Sequence, residues 1–133
     1  MEYGQIGYSI DCTQDGGYFV VGKSVISLNM IDIIALKLDS LGNLEWYKIL
    51  GGESNNDGRH NGKVLSDGNF LVAATKGSNA GGYNGYLAKI NQNGDELWEL
   101  DYSSNSNNLF YTNILELEDG SIIVGGGKYV SST

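Results

Sequence analysis

Proline is absent from this chain, cysteine and histidine occur once each, and basic residues number 8 against 16 acids. The single cysteine excludes an internal disulfide framework. The single histidine, His60, excludes a histidine-based metal cluster within one chain. A formal net charge of -8 repels phosphate backbones and so argues against nucleic acid and anionic membrane surfaces as partners. The longest apolar runs, at residues 18–21 and 33–36, fall far short of the roughly 18 to 20 residues of a spanning helix, and membrane insertion is not expected. The opening Met1-Glu2-Tyr3-Gly4-Gln5 lacks the basic start and apolar core of a secretory signal. Helical periodicity is missing throughout, which excludes α/β designs and helical solenoids.

What is present is glycine, 20 of 133 residues, placed with a period. Asp15, Gly16, Tyr18 and Val20 recur 52 residues later as Asp67, Gly68, Phe70 and Val72, and again as Asp119, Gly120, Ile122 and Val124. Lys37, Gly42 and Trp46 return as Lys89, Gly94 and Trp98. A step of this length, made of short apolar runs and turn residues, is one supersecondary unit copied along the chain. The copies divide it into residues 1–52, 53–104 and a half copy at 105–133.

Each full copy reads as four strands. In the first these are residues 8–12, 18–22, 31–38 and 44–50; in the second 59–65, 70–74, 83–90 and 96–102. The third supplies two, 110–117 and 121–126. Asp-Gly between apolar runs is a hairpin signal, because such turns need a residue that tolerates positive φ. Four-stranded antiparallel units of this length predict an all-β fold of β-propeller blades, about two and a half 52-residue repeats forming a partial propeller. The second strand of each unit, continuously apolar, should be covered on both faces. Trp46 and Trp98, at one fixed place per unit, should pack between neighbouring sheets. Asp15, Gly16, Asp67, Gly68, Asp119 and Gly120 are structural turn residues in this scheme, and Cys12 is expected as a small buried hydrophobe on a strand.

Residues 35–46 (Ala35-Leu36-Lys37-Leu38-Asp39-Ser40-Leu41-Gly42-Asn43-Leu44-Glu45-Trp46), with Asn91-Gln92-Asn93-Gly94-Asp95-Glu96-Leu97-Trp98, resemble the tryptophan-docking repeat of quinoprotein-like (PQQ-like) β-propellers. The spacing from Asp39 to Gly42 is shorter than that family's, and Asn91 stands in place of its Asp. A closer resemblance is to the DGGY and KLDSxGNxxW repeats found in tandem in large prokaryotic secreted or surface proteins. It is carried by Asp15-Gly16-Gly17-Tyr18, Lys37-Leu38-Asp39-Ser40, Gly42-Asn43, Trp46 and Gly51-Gly52. This resemblance implies a propeller fold and an extracellular or cell-surface setting.

Catalytic chemistry needs convergent groups, and few are offered. A Cys12/His60 pair would span opposite ends of neighbouring strands. Asp95/Glu96 and Glu116/Glu118 read as solvated acids, and no phosphate-binding loop occurs. Two EF-hand-like openings lack the closing glutamate, with Gly22 and Val64 at that position; Glu53, Asn55 and Asp57 retain a weak resemblance to a Ca²⁺ site. No cofactor, metal or enzymatic activity is therefore expected. Propellers bind ligands mostly on the face made by two of the four connections, here residues 51–58, 103–109, 23–30 and 75–82. Candidate ligand-binding residues on it are Asn55, Asn56, Asp57, Arg59, Tyr83, Tyr102, Asn107 and Asn108. Amides and aromatic rings suit protein or carbohydrate recognition. The expected function is a non-enzymatic scaffold or binding module, whose partners include further blades of the same protein or self-association. The alternative is the structural part of a glycan-active or quinoprotein-like enzyme whose catalytic residues lie elsewhere.

Overall fold

The computed structural model of the chain describes residues 4–27, 30–52, 60–77, 82–102 and 109–128. Its elements are the strands β1 (Gln5–Cys12), β2 (Tyr18–Ser27), β3 (Met30–Leu38), β4 (Leu44–Leu50), β5 (Asn61–Val64), β6 (Phe70–Gly77), β7 (Tyr83–Ile90), β8 (Glu96–Tyr102), β9 (Leu109–Glu116) and β10 (Ile122–Lys128). No helix occurs among the described residues. β1 to β4 form one antiparallel sheet in chain order, β5 to β8 a second, and β9 with β10 a two-stranded third.

Five connections are the same tight turn. Gly16, Gly42, Gly68, Gly94 and Gly120 donate their N–H to the carbonyls of Thr13, Asp39, Leu65, Asn91 and Leu117, with φ between 81° and 87°. This is a three-residue hairpin loop whose last residue is left-handed, a conformation glycine enters at little steric cost. The neighbouring aspartates do other work. Asp15, Asp67 and Asp119 each accept the N–H two residues on, from Gly17, Asn69 and Ser121. Asp39 accepts from Leu41 and Asn43, and Asn91 accepts from Asn93 and Asp95 in the same way. An amide oxygen makes these bonds as a carboxylate does, so Asn91 serves where its counterpart is Asp39.

Strand registers correspond between the sheets. Tyr18 faces Leu38 and Phe70 faces Ile90; Lys37 faces Trp46 and Lys89 faces Trp98, each next to an irregularity at the same place. Ile10–Val20, Gly62–Val72 and Ile114–Val124 are likewise equivalent pairs. β2 and β6 extend to Ser27 and Gly77, beyond the apolar runs and into segments that read as polar loops in the sequence. In β6, partners on neighbouring strands of the same sheet make this extension favourable: Lys76 lies 5.6 Å from the Tyr86 ring centroid and 3.0 Å from an Asp101 carboxylate oxygen.

The first two sheets stack face to face. Phe19 and Val21 of β2 and Ala35 of β3 meet Phe70, Val72 and Ala88 of the second sheet. The Phe19 and Phe70 rings are stacked with centroids 4.5 Å apart and planes 10° from parallel. Burying such a side chain contributes about 1.5 to 3 kcal/mol. Gly62 makes the approach of β5 feasible, since a Cβ there would lie 2.4 Å from Val21. On the far face of the second sheet, Leu71 and Ala73 pack with Ile114 of the third.

Three sequence expectations are corrected by this stacking. Cover on both faces holds along β6, where Phe70 to Thr75 are buried, but Val20 on β2 is half-buried and β10 is largely exposed. Trp98 is not a packed residue: it is 40% exposed, because the two strands of the third sheet lie over β5, β6 and β7 and leave β8 bare. Cys12 is exposed, not buried, since it ends the edge strand β1 beside an open cavity.

Candidate ligand groove between the first two sheets

At the hairpin end of the molecule the first two sheets diverge around a cavity of about 660 Å³. Its floor includes Trp46 and Phe70, and its walls are the turns carrying Gln14, Asp15, Gln92 and Asn93. Trp46 enters from β4, half-buried between Phe19 and Phe70 with ring centroids 6.3 and 5.8 Å away. Its indole N–H donates to the Gln92 carbonyl at 2.9 Å, and Lys48 donates to the Gly94 carbonyl at 3.4 Å. Gly94 lies against the indole: a Cβ there would be 3.0 Å from the ring. Two side chains of the first sheet, Trp46 and Lys48, are thus held by the β7–β8 turn of the second.

Beside Trp46 sits Lys37, a lysine only 4% exposed. Its ammonium donates to Asp15 Oδ2 at 2.8 Å, to Glu45 Oε2 at 2.6 Å and to the Leu38 carbonyl at 3.3 Å. Burial by itself lowers the Lys37 pKa, but the hydrogen bonds and charges of Asp15 and Glu45 outweigh it and raise it. Asp15 is held well below the usual carboxylate range by its bond to Lys37, then by donors from the Thr13 hydroxyl and the Gly17 N–H. In the second sheet Lys89 meets Asp67 at 2.6 Å, while Leu97 stands where Glu45 would supply a second carboxylate. Toward the other end of the sheets, the buried Tyr86 donates to Glu99 at 2.8 Å and accepts from the Gly51 N–H; burial first, then Glu99, pushes its phenol far above the ordinary value.

Polar bonds continue from sheet to sheet along this end. Gln14 donates to the Ser66 carbonyl at 3.3 Å, and the Ser66 N–H and hydroxyl donate to Glu116 at 2.8 and 2.7 Å. Deeper between the sheets, the Gly62 and Val64 N–H groups of β5 donate to Ser9 Oγ at 2.7 Å and Asp11 Oδ2 at 3.0 Å. A second cavity of about 470 Å³, lined by Asp11 and Cys12 of the first sheet, Lys63 of the second and Glu116 of the third, opens where the three sheets meet.

Chemically the groove combines a buried ion cluster, exposed amides and an indole. The two carboxylates on its wall are bound to one ammonium, which leaves neither poised as a proton donor. Gln92 and Asn93 project exposed amides beside a half-buried indole. Among the described residues no three His, Cys, Asp or Glu side chains converge on a metal-sized point. Cys12 ends β1 at the turn side, whereas His60 precedes β5 and meets the edge of Tyr8 at 5.5 Å between ring centroids.

Of the residues singled out in the sequence, Asn55, Asn56, Asp57, Arg59, Asn107 and Asn108 lie outside the described residues, as does Glu53. Tyr83 and Tyr102 are 41% and 55% exposed, at one end of β7 and β8. Tyr102 lies opposite Gly85, against which the Tyr111 ring packs. The turn residues Asp15, Gly16, Asp67 and Gly68 occupy the opposite end, and it is there that the larger cavity opens. Sequence reasoning missed Gln14, Lys37, Glu45, Gln92 and Asn93 as site residues. The recurrent lysine two residues before an Asp or Asn turn was a usable signal; Gln14 and Gln92 gave none, since polar residues are ordinary in turns. No known protein family matches this chain, and no curated protein is similar to it.

Proposed function

We propose that this chain is a non-enzymatic scaffold and binding module of β-propeller type, a partial propeller whose groove between the first two sheets recognises carbohydrate. The observation that carries the reading is the groove itself: exposed amides of Gln92 and Asn93 beside the half-buried Trp46, with both wall carboxylates bonded to Lys37. Amide hydrogen bonds next to an indole are what a polyhydroxylated ring uses for orientation and contact area. The propeller reading draws support from the matching registers of the sheets and from the Trp46 bond across them. An extracellular or surface setting follows from the resemblance of the repeats.

A glycan array probed with the whole chain tests this. Binding to a defined saccharide that Asn93→Ala and Gln14→Ala both weaken, at unchanged melting temperature, supports the reading. An array without any binding removes carbohydrate, and a search for protein partners against the same groove variants then follows.

A further inference from the structure

The far face of the second sheet is bare along β8. There Trp98, Leu100 and Tyr102 are 40%, 47% and 55% exposed. β10 ends the two-stranded sheet, and its outer backbone edge is unpaired among the described residues. The first sheet shows what such a place accepts. Trp46, at the position matching Trp98, is covered by the β7–β8 hairpin, whose Gln92 carbonyl takes its indole N–H and whose Gly94 lies on its ring. The Trp98 indole N–H meets no acceptor among the described residues. Asp15 and Asp67, each in the turn between the first two strands of its sheet, hold a lysine of the third strand at 2.8 and 2.6 Å. Asp119, in the matching turn, binds Ser121 and no cation among the described residues.

We infer that the β10 edge, Asp119 and the Trp98 platform together form a docking site for an antiparallel β-hairpin with the chemistry of β7–β8. Its first strand adds to β10 by main-chain hydrogen bonds, as β7 adds to β6. A lysine on that strand reaches Asp119, and a carbonyl of its Asn/Asp-x-x-Gly turn takes the Trp98 N–H. Its apolar face covers Leu100. The lysine and the indole act as register pins, because a slip of one residue turns every side chain to the other face. The inference deepens the propeller reading and rests on it, in that sheets are added by stacking; it does not involve the carbohydrate groove.

The probe is an unlabelled synthetic peptide with the sequence of residues 83–102, titrated into the ¹⁵N-labelled whole chain while the protein's two tryptophan indole N–H signals are followed by NMR. A saturable shift of Trp98, assigned with Trp98→Phe, and a stationary Trp46 are expected. The peptide carrying Lys89→Glu should bind about tenfold more weakly. Asp119→Lys in the protein should restore that peptide and weaken the original. No saturable Trp98 shift, equal binding in all four charge combinations, or an equal effect from a scrambled peptide would each overturn the site. Glycan binding without peptide binding rejects the hairpin site alone; peptide binding with an empty glycan array rejects only the carbohydrate groove.

Discussion

The indole N–H of Trp46 donates to the carbonyl of Gln92 at 2.9 Å, so that a β4 side chain is bonded to the turn closing β7 onto β8. Sheet stacking through apolar contact is non-directional, whereas this bond selects one relative placement.

Trp46 and Trp98 should therefore differ sharply, although they occupy matching positions in sequence. Trp46→Ala is expected to destabilise by about 3 to 5 kcal/mol, the cost of losing a large packed ring. Trp98→Ala should cost less than about 1 kcal/mol, as for exposed positions without special contacts. Urea denaturation of both variants measures the difference, and equal losses would refute it.

Gly94 and Gly42 separate strain from contact. Both are left-handed, at φ 87° and 85°, but only Gly94 abuts the indole, and nothing lies within 4 Å of a Cβ at Gly42. Gly42→Ala should cost about 1 to 2 kcal/mol for the left-handed conformation alone. Gly94→Ala should lose more, with a change in Trp46 fluorescence that Gly42→Ala does not produce.

The pH profile follows from the turn aspartates, Lys37 and the buried Tyr86. Asp15, Asp39, Asp67 and Asp119 are all lowered from 3.8, so their contribution to stability is present above about pH 4 and lost as pH falls through their depressed folded values. Lys37 and Tyr86 are raised from 10.5 and 10.0. Their contributions are complete below about pH 10 and lost as pH rises toward the folded values. Melting temperatures should thus form a plateau between these limits. Asp15→Asn should flatten the acid limb and Tyr86→Phe the alkaline one, and a main transition near neutrality would contradict the assignment.

Cys12 is exposed at the end of β1. Its thiol should react with an aromatic disulfide reagent in the native protein nearly as fast as in urea. Strong native protection would show that this edge is covered in solution.

Much of the fold was legible because turn chemistry is local. A glycine with Asp or Asn one or three residues before it, between apolar runs, announces a three-residue hairpin, and all five such turns lie between the strands read from those runs; Asn61-Gly62 and Asn84-Gly85, inside strands, make no turn. The site was less legible because it is made by contacts between copies. Gln92 acts through its backbone carbonyl, which carries no side-chain signature, and Glu45 matters only because Lys37 comes within 2.6 Å of it. Periodicity misled at Trp98 for the same reason: the copied residue is present, but the surface that buries its counterpart is not.

The bonds that the Gly62 and Val64 N–H groups donate to Ser9 and Asp11 have a consequence for association. They occupy the outward donors of β5, so another chain cannot extend the second sheet there without first breaking them. With that margin closed, edge-to-edge extension of the second sheet is left to β8, its other edge strand.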